Sequence, residues 1–289
     1  GYLCNDYGID TVSCGSTIAF AMECFEKGIL TEKDTGGINL SFGNKSAIIE
    51  MVKRIAERKD IGNLLAEGTR IMSGKLKKGS EKFAMHVRGM ELACYDPRAA
   101  KLTGLAYVTA NRGGDHITAF VEAPTFLATP FLIIDESEIR DILKEDPEDV
   151  KILKDLEDAL TTFDAAGSCK FMGMTLTAEE WVEIIRVTTG WEDYTVDEFR
   201  KTGERIYNLA RACNVRDGVT RADDKLPYRL TDEPMPDGPA KGETVNLKEL
   251  LKEYYKCRDW DNPEGKPSPE KLNELGLADV REVLYRKTE

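Results

Sequence analysis

Apolar positions recur at helical spacing over most of the chain. "STIAFAMECFEKGIL" has an apolar body closed by Gly28, with Ser16 or Thr17 as its predicted N-cap. In "KSAIIEMVKRIAERKD", Ile48, Ile49, Val52, Ile55 and Ala56 recur at helical spacing, with charges on the other face. "IGNLLAEGTRIMSGKL" reads as a shorter helix punctuated by glycines. "DPEDVKILKDLEDALTTF" puts Pro147 in a first turn and keeps Val150, Leu153, Leu156 and Leu160 in phase. Thr177 with Glu180, and Thr195 with Glu198, have the spacing of capping boxes and open two more helices. Further helices are predicted at "NLKELLKEYYKCRDW" and "SPEKLNELGL". Alternating β-branched runs are scarce, and "HITAFV" and "FLIID" are the best strand candidates. The predicted fold class is mainly α.

The stretches between these elements carry the proline and glycine. "LTDEPMPDGPAKGET" is a polar surface connection. "ELACYDPRAAKLTGLAYVTANRGGDH" is too irregular to be only core and too apolar to be only linker. The charged "GKLKKGSEKF" places a domain boundary near residues 80–90. Tandem repeats and low-complexity tracts are absent.

The 289 residues suffice for one large or two medium domains. A net charge of −12 argues against nucleic acid as a partner. An anionic ligand would need local backbone dipoles or selected Arg and Lys. No apolar run approaches the roughly 20 residues that span a bilayer. The start, "GYLCNDYGID", lacks a signal-peptide pattern and a Met, and suggests an internal fragment, a processed chain or a trimmed one. The seven cysteines are odd in number and form no CxxC pair. A disulfide framework and a self-contained zinc or iron–sulfur site are therefore not expected, and a reducing cytoplasm fits better.

Candidate chemistry sits in four places. "NDYGIDT" and "DAAGSCK" share the pattern [D/N]-x-x-G-[I/S]-[D/C]-x. A side-chain oxygen at the first position can accept from paired ring N–H groups, and the glycine lets backbone approach a flat ligand. The plain alternative is two unrelated turns. Cys169 is either a thiolate ligand beside a turn or a buried thiol. Of the two histidines, His116 follows the glycine-rich "NRGGD" and is a proton-transfer candidate, whereas His86 reads as structural. "CNVRDGVTRADDKLPYR" reads as a salt-bridged helix exit. Walker, Rossmann, HExxH and GxSxG motifs are absent.

Five blocks in order, "CNDYGIDTVSCGSTIAFAMECFEKG", "YDPRAAKLTGLAYVTANRGGDH", "DAAGSCK", "NLARACNVRDGVTRADDKLPYR" and "LLKEYYKCRDWD…GKPSPEKLNELGL", resemble the tungsten-containing aldehyde ferredoxin oxidoreductase family. The resemblance covers nearly the whole chain but only the family's C-terminal part. It implies two helical domains, the end of one at about 1–85 and a second at about 86–289. It implies a tungsten atom, or molybdenum in its place, held by two pterins beside one [4Fe-4S] cluster. By motif match, Asn5, Gly8 and Asp10 would face one pterin. Asp164, Gly167 and Lys170 belong to the motif at the other, where Asp164 would accept from ring N–H groups. Cys169 would be the cluster's sequence-distant ligand, and His116 would hydrogen-bond a substrate oxygen and pass a proton.

Some positions depart from the family pattern. Asn5 replaces an Asp and gives an uncharged contact, and Ser168 replaces a Leu. The clustered cysteines and the β-rich base domain are expected before residue 1, in a missing N-terminal region or a split subunit. Cofactors are therefore expected only in the intact parent, and the fragment alone is expected to be inactive. Cys14 is either a buried thiol or a metal ligand of the kind used by an aromatic acyl-CoA reductase branch. The implied function is oxidation of an aldehyde to a carboxylic acid, with ferredoxin as acceptor. The alternatives are a tungsten-dependent aromatic acyl-CoA reductase subunit and a non-catalytic helical assembly module. The sequence leaves the substrate and homo-oligomer formation open.

Overall fold

The computed structural model describes residues 1–121, 149–260 and 262–286. The described residues are mainly helical. Among the described residues the strands are β1 (His86–Val87) and β2 (Met90–Glu91), one short antiparallel hairpin. "HITAFV" is not a strand. Residues 116–120 form a turn in which Phe120 N–H donates to the His116 carbonyl at 2.9 Å. "FLIID" and the Pro147 turn lie outside the described residues.

The chain divides into two compact units. The first comprises Gly1–Tyr95, Arg112–Asp115 and Lys225–Thr244. It contains α1 (Tyr2–Tyr7), α2 (Thr11–Glu26), α3 (Lys45–Glu57), α4 (Ile61–Leu65), α5 (Gly68–Leu76) and α10 (Tyr228–Asp232). Asp10, not Ser16 or Thr17, caps α2, its carboxylate accepting from Ser13 N–H at 2.7 Å. The helix therefore starts earlier than apolar periodicity suggests, because Thr11 and Val12 of its first turn are exposed and show no core phase. Core packing comes from Ile18, Ala21, Met22 and Cys24 of α2 and from Met51, Val52 and Ile55 of α3. Ile48 and Ile49 share the helical spacing but face outward at 38 % and 52 % exposure. At Gly62, a Cβ would stand 2.2 Å from the Arg54 carbonyl oxygen, so α3 and α4 meet there without a side chain between them. Arg229 of α10 chelates Glu23 of α2 at 2.6 and 3.0 Å, tying Lys225–Thr244 back to the start of the chain.

The second unit comprises Asp96–Asn111, His116–Asp224 and Val245–Glu289. It contains α6 (Lys101–Thr109), α7 (Asp149–Ala165), α8 (Ala178–Thr189), α9 (Val196–Arg216), α11 (Lys248–Cys257), α12 (Pro269–Glu274) and α13 (Ala278–Leu284). Every residue of α6 is buried, which explains why an amphipathic stripe is missing from its sequence. Val150, Leu153, Leu156 and Leu160 of α7 are all buried, as their phase predicts. Thr177 makes a full capping box with Glu180. Thr195 accepts from Glu198 N–H at 3.2 Å. Helices α7 and α9 cross at Gly203, where a Cβ would stand 2.0 Å from the Asp158 carbonyl oxygen.

A buried ionic network locks this unit. The Arg258 guanidinium, fully buried, bonds Glu157 at 2.6 Å and Asp158 at 2.5 Å. It also lies 4.1 Å from the centroid of the Tyr207 ring. Arg211, equally buried, pairs with Asp224 through both nitrogens at 2.8 and 3.2 Å and donates to the Gly265 carbonyl at 2.8 Å. Each charge has a partner, as burial of ions in a low dielectric requires. Burial pushes the Glu157 carboxyl up, against the lowering pull of Arg258.

Candidate functional site

The two glycine motifs fold alike. Helix α1 ends at Gly8, which adopts φ 68°, and α7 is followed by Gly167 at φ 71°. In the first, Ile9 N–H donates to the Cys4 carbonyl at 2.8 Å and Gly8 N–H to the Asn5 carbonyl at 3.3 Å. In the second, Ser168 N–H donates to the Phe163 carbonyl at 2.8 Å and Gly167 N–H to the Asp164 carbonyl at 3.1 Å. Both are the left-handed helix ending that satisfies orphan carbonyls and favours glycine. The burial patterns also agree over seven positions, Cys4–Asp10 against Phe163–Cys169. The first residue is buried, Asn5 and Asp164 are exposed, and so are Gly8 and Gly167. A Cβ on either glycine would meet no heavy atom of the described residues within 4 Å. The glycines thus answer a backbone requirement, and among the described residues the space over each is open.

The motifs then diverge. Asp10 uses its carboxylate to cap α2. Cys169, at the equivalent place, precedes the 3-10 helix Lys170–Met174 with no side-chain cap, and its thiol is exposed. The next residue differs most. Thr11 is exposed, whereas Lys170 is buried. Its ammonium pairs with Asp164 at 2.8 Å and donates to the Ile117 carbonyl at 3.2 Å.

That second bond brings the His116 turn to the motif. Phe120 holds φ 47° in the turn, and its ring meets the His116 ring at 5.9 Å and the Phe171 ring at 5.4 Å. An ionic tie (Asp164–Lys170–Ile117) and an aromatic tie (His116–Phe120–Phe171) therefore join the same two segments. The approach to the turn is held as well. Tyr207 hydroxyl donates to the Thr109 carbonyl at 3.2 Å, and Asn214 donates to the Asn111 carbonyl at 2.8 Å. Beneath the motif, Phe163 stacks on Trp181 of α8 with centroids 4.1 Å apart. Phe120, Phe171 and Trp181 escape a sequence reading, since each looks like ordinary core or an isolated aromatic.

In the first unit, residues 112–115 pack on the hairpin. A Cβ on Gly113 would stand 2.9 Å from the Val87 carbonyl oxygen, and one on Gly114 would stand 2.5 Å from Leu92 Cδ2. Arg112 and Asp115 form an ion pair there. Cys14 is buried at 5 % exposure, and its thiol is pushed up to about 12, chiefly by burial and then by neighbouring Cys4. That environment suits a protonated thiol in the core. His86 is half-buried, and burial lowers its pKa, in keeping with a structural role.

The donor set fits a share of a metal–pterin centre. In the second unit it offers an exposed carboxylate held at a fixed point, an exposed thiol, a glycine turn and a histidine tied alongside. Among the described residues no group of three or more His, Cys, Asp or Glu could hold a metal by itself. No described helix is long and apolar enough to cross a membrane.

Residues 1–277 match the family model "Aldehyde ferredoxin oxidoreductase, domains 2 & 3". The chain is 40 % identical over 278 residues to the tungsten-containing aldehyde ferredoxin oxidoreductase of Thermococcus kodakarensis, covering 96 % of this chain and 44 % of that protein. It is 40 % identical over 282 residues to the enzyme of the same name from Pyrococcus horikoshii, covering 96 % of this chain and 45 % of that one. It is 29 % identical to the "Aliphatic sulfonate oxidoreductase, WOR-like subunit" of Pyrococcus furiosus, over 99 % of this chain and 43 % of that one. A chain of the solved active-site complex BamBC of benzoyl coenzyme A reductase shares the fold, with TM-score 0.72 at 24 % identity, over 96 % of this chain and 46 % of that one. The chain thus spans less than half the length of these relatives.

Proposed function

The chain belongs to the aldehyde ferredoxin oxidoreductase family, and on that premise we propose that it is the C-terminal helical portion of a cytoplasmic tungsten enzyme oxidising aldehydes to carboxylic acids. Ferredoxin would accept the electrons. The observation that supports this best is the pair of matching helix endings, one per unit, each presenting a polar side chain beside an open glycine.

Asp164 would accept ring N–H groups of one pterin, held in place by Lys170. Asn5 would face the other pterin as a neutral acceptor, with Gly8 giving room and Asp10 fixing the turn by capping α2. Cys169 would give the cluster its sequence-distant thiolate. His116 would hydrogen-bond the aldehyde oxygen and take a proton as the acid forms. When bound, the metal and cluster supply the two-electron and one-electron chemistry, and the protein supplies orientation and electrostatics. Relatives named for aldehydes match at 40 % identity, against 29 % for the one named for sulfonates, which favours an aldehyde substrate.

The test uses the intact parent enzyme, purified without oxygen. Tungsten and about four irons per chain are expected, with ferredoxin reduction that depends on added aldehyde. Cys169→Ser should lower the iron content and abolish the cluster's EPR signal while circular dichroism stays unchanged. Full iron content in that variant, or a metal-free parent, would refute the reading.

A further inference from the structure

Lys170 is out of keeping with its surroundings. It is 6 % exposed, while its partner Asp164 is 52 % exposed and its chain neighbours Cys169 and Phe171 are also exposed. A lysine at a surface turn ordinarily extends its ammonium into water, because burying an ion is costly. Here the cation turns inward and spends its hydrogen bonds on the Asp164 carboxylate at 2.8 Å and the Ile117 carbonyl at 3.2 Å. The equivalent residue of the first motif, Thr11, is exposed, so the shared turn geometry does not demand this arrangement. Two things set the second motif apart: Asp164 stands where the first has the uncharged Asn5 and gives the ammonium its partner, and the thiol of Cys169 stands where the first has Asp10.

We propose that Lys170 is an electrostatic and positioning residue for the redox centre bound through Cys169, a proposal that rests on the reading of Cys169 as a cluster ligand. Its buried charge belongs to the residue that follows Cys169 in the chain, and a fixed, poorly solvated charge is screened less than an exposed one. A positive charge there favours the more negative, reduced form of the centre. The Asp164 carboxylate opposes that charge, and the solvent around it weakens the opposition. The same ammonium fixes Asp164 for its cofactor contact and the backbone next to His116. One side chain therefore sets the distance between the acceptor and proton-transfer segments and also the field at the cluster.

The experiment is an EPR-monitored redox titration of the cluster in the anaerobic intact enzyme. Lys170→Met should shift the midpoint potential to more negative values, and Asp164→Asn should shift it to more positive ones. Lys170→Arg should restore a value near wild type. A purely structural role would move both single variants in the same direction, or neither. Either outcome, with iron content preserved, would overturn the proposal while leaving the family function intact. If Lys170→Met fails to assemble a cluster, Asp164→Asn decides alone, since no shift or a negative shift contradicts it. Loss of the functional reading itself would appear separately, as a cluster that survives Cys169→Ser.

Discussion

Single residues carry most of the information in this chain, and they do so through burial. Glu204, partly buried on α9, is raised by desolvation, but Lys154 and Lys271 outweigh that and hold its carboxyl below the usual range. Its sign for stability follows from linkage. A depressed carboxylate stabilises the fold above its unfolded pKa and loses that contribution as pH falls through its folded pKa. Glu204→Gln should therefore lower the melting temperature at pH 7. The gap from wild type should close as the pH drops below the ordinary carboxylate value, in a thermal-melt series from neutral to acid. At Gly167 the requirement is conformational. Gly167→Ala should cost about 1–2 kcal/mol for a Cβ in the left-handed region, read from urea denaturation, although no atom stands in its way. The sequence offers Gly8, Gly167, Asp164, Cys169 and His116 as candidates by type and spacing, and only the family resemblance gives them roles. It could not mark the inward turn of Lys170, because a lysine's direction depends on a carbonyl fifty-three residues away.

At the scale of elements, helices with a clean apolar phase were legible and those without it were not. Helix α7 shows its core stripe openly, and α11 and α12 sit where their patterns place them. Helix α6 is hidden because burial on all sides erases periodicity, and α1, α10 and α13 are too short to show one. The stack of Trp181 on Phe163 ties α8 to the last turn of α7, just before Asp164. Trp181→Ala should cost about 3–5 kcal/mol. It should also speed amide exchange at Ser168, whose N–H donates to the Phe163 carbonyl. Exchange unchanged at Ser168 would mean that the motif holds itself without the stack. Gly203→Ala is the crossing-point counterpart. The added carbon meets backbone, not a movable side chain, so destabilisation of at least about 1–3 kcal/mol is expected in the same denaturation assay.

For the whole molecule, the chain belongs to the aldehyde ferredoxin oxidoreductase family and spans less than half the length of its relatives. Two compact units each end a helix with the same turn, and each turn offers a different second group, a capping carboxylate in one and an open thiol in the other. On the proposed function, the metal centre needs groups beyond those that the described residues provide. Loading the intact enzyme with metal should therefore raise its melting temperature above that of metal-depleted enzyme, by the mass-action stabilisation that any tight ligand gives its folded form. Scanning calorimetry on the two preparations checks this.

The Arg258 network has a further consequence, in the order of synthesis. Glu157 and Asp158 leave the ribosome about a hundred residues before the guanidinium that neutralises them. Until Arg258 arrives, docking α7 onto α9 at Gly203 would bury Glu157 without a counter-charge, whereas Asp158 already pairs with Lys154 of its own helix at 2.8 Å. The second unit should therefore stay open through most of translation and close late. Release of stalled chains ending at Leu247 should yield a protease-sensitive second unit, and stalling after Trp260 should protect it. The fold thus contains its own timing, written as the distance along the chain between a buried acid, Glu157, and its base, Arg258.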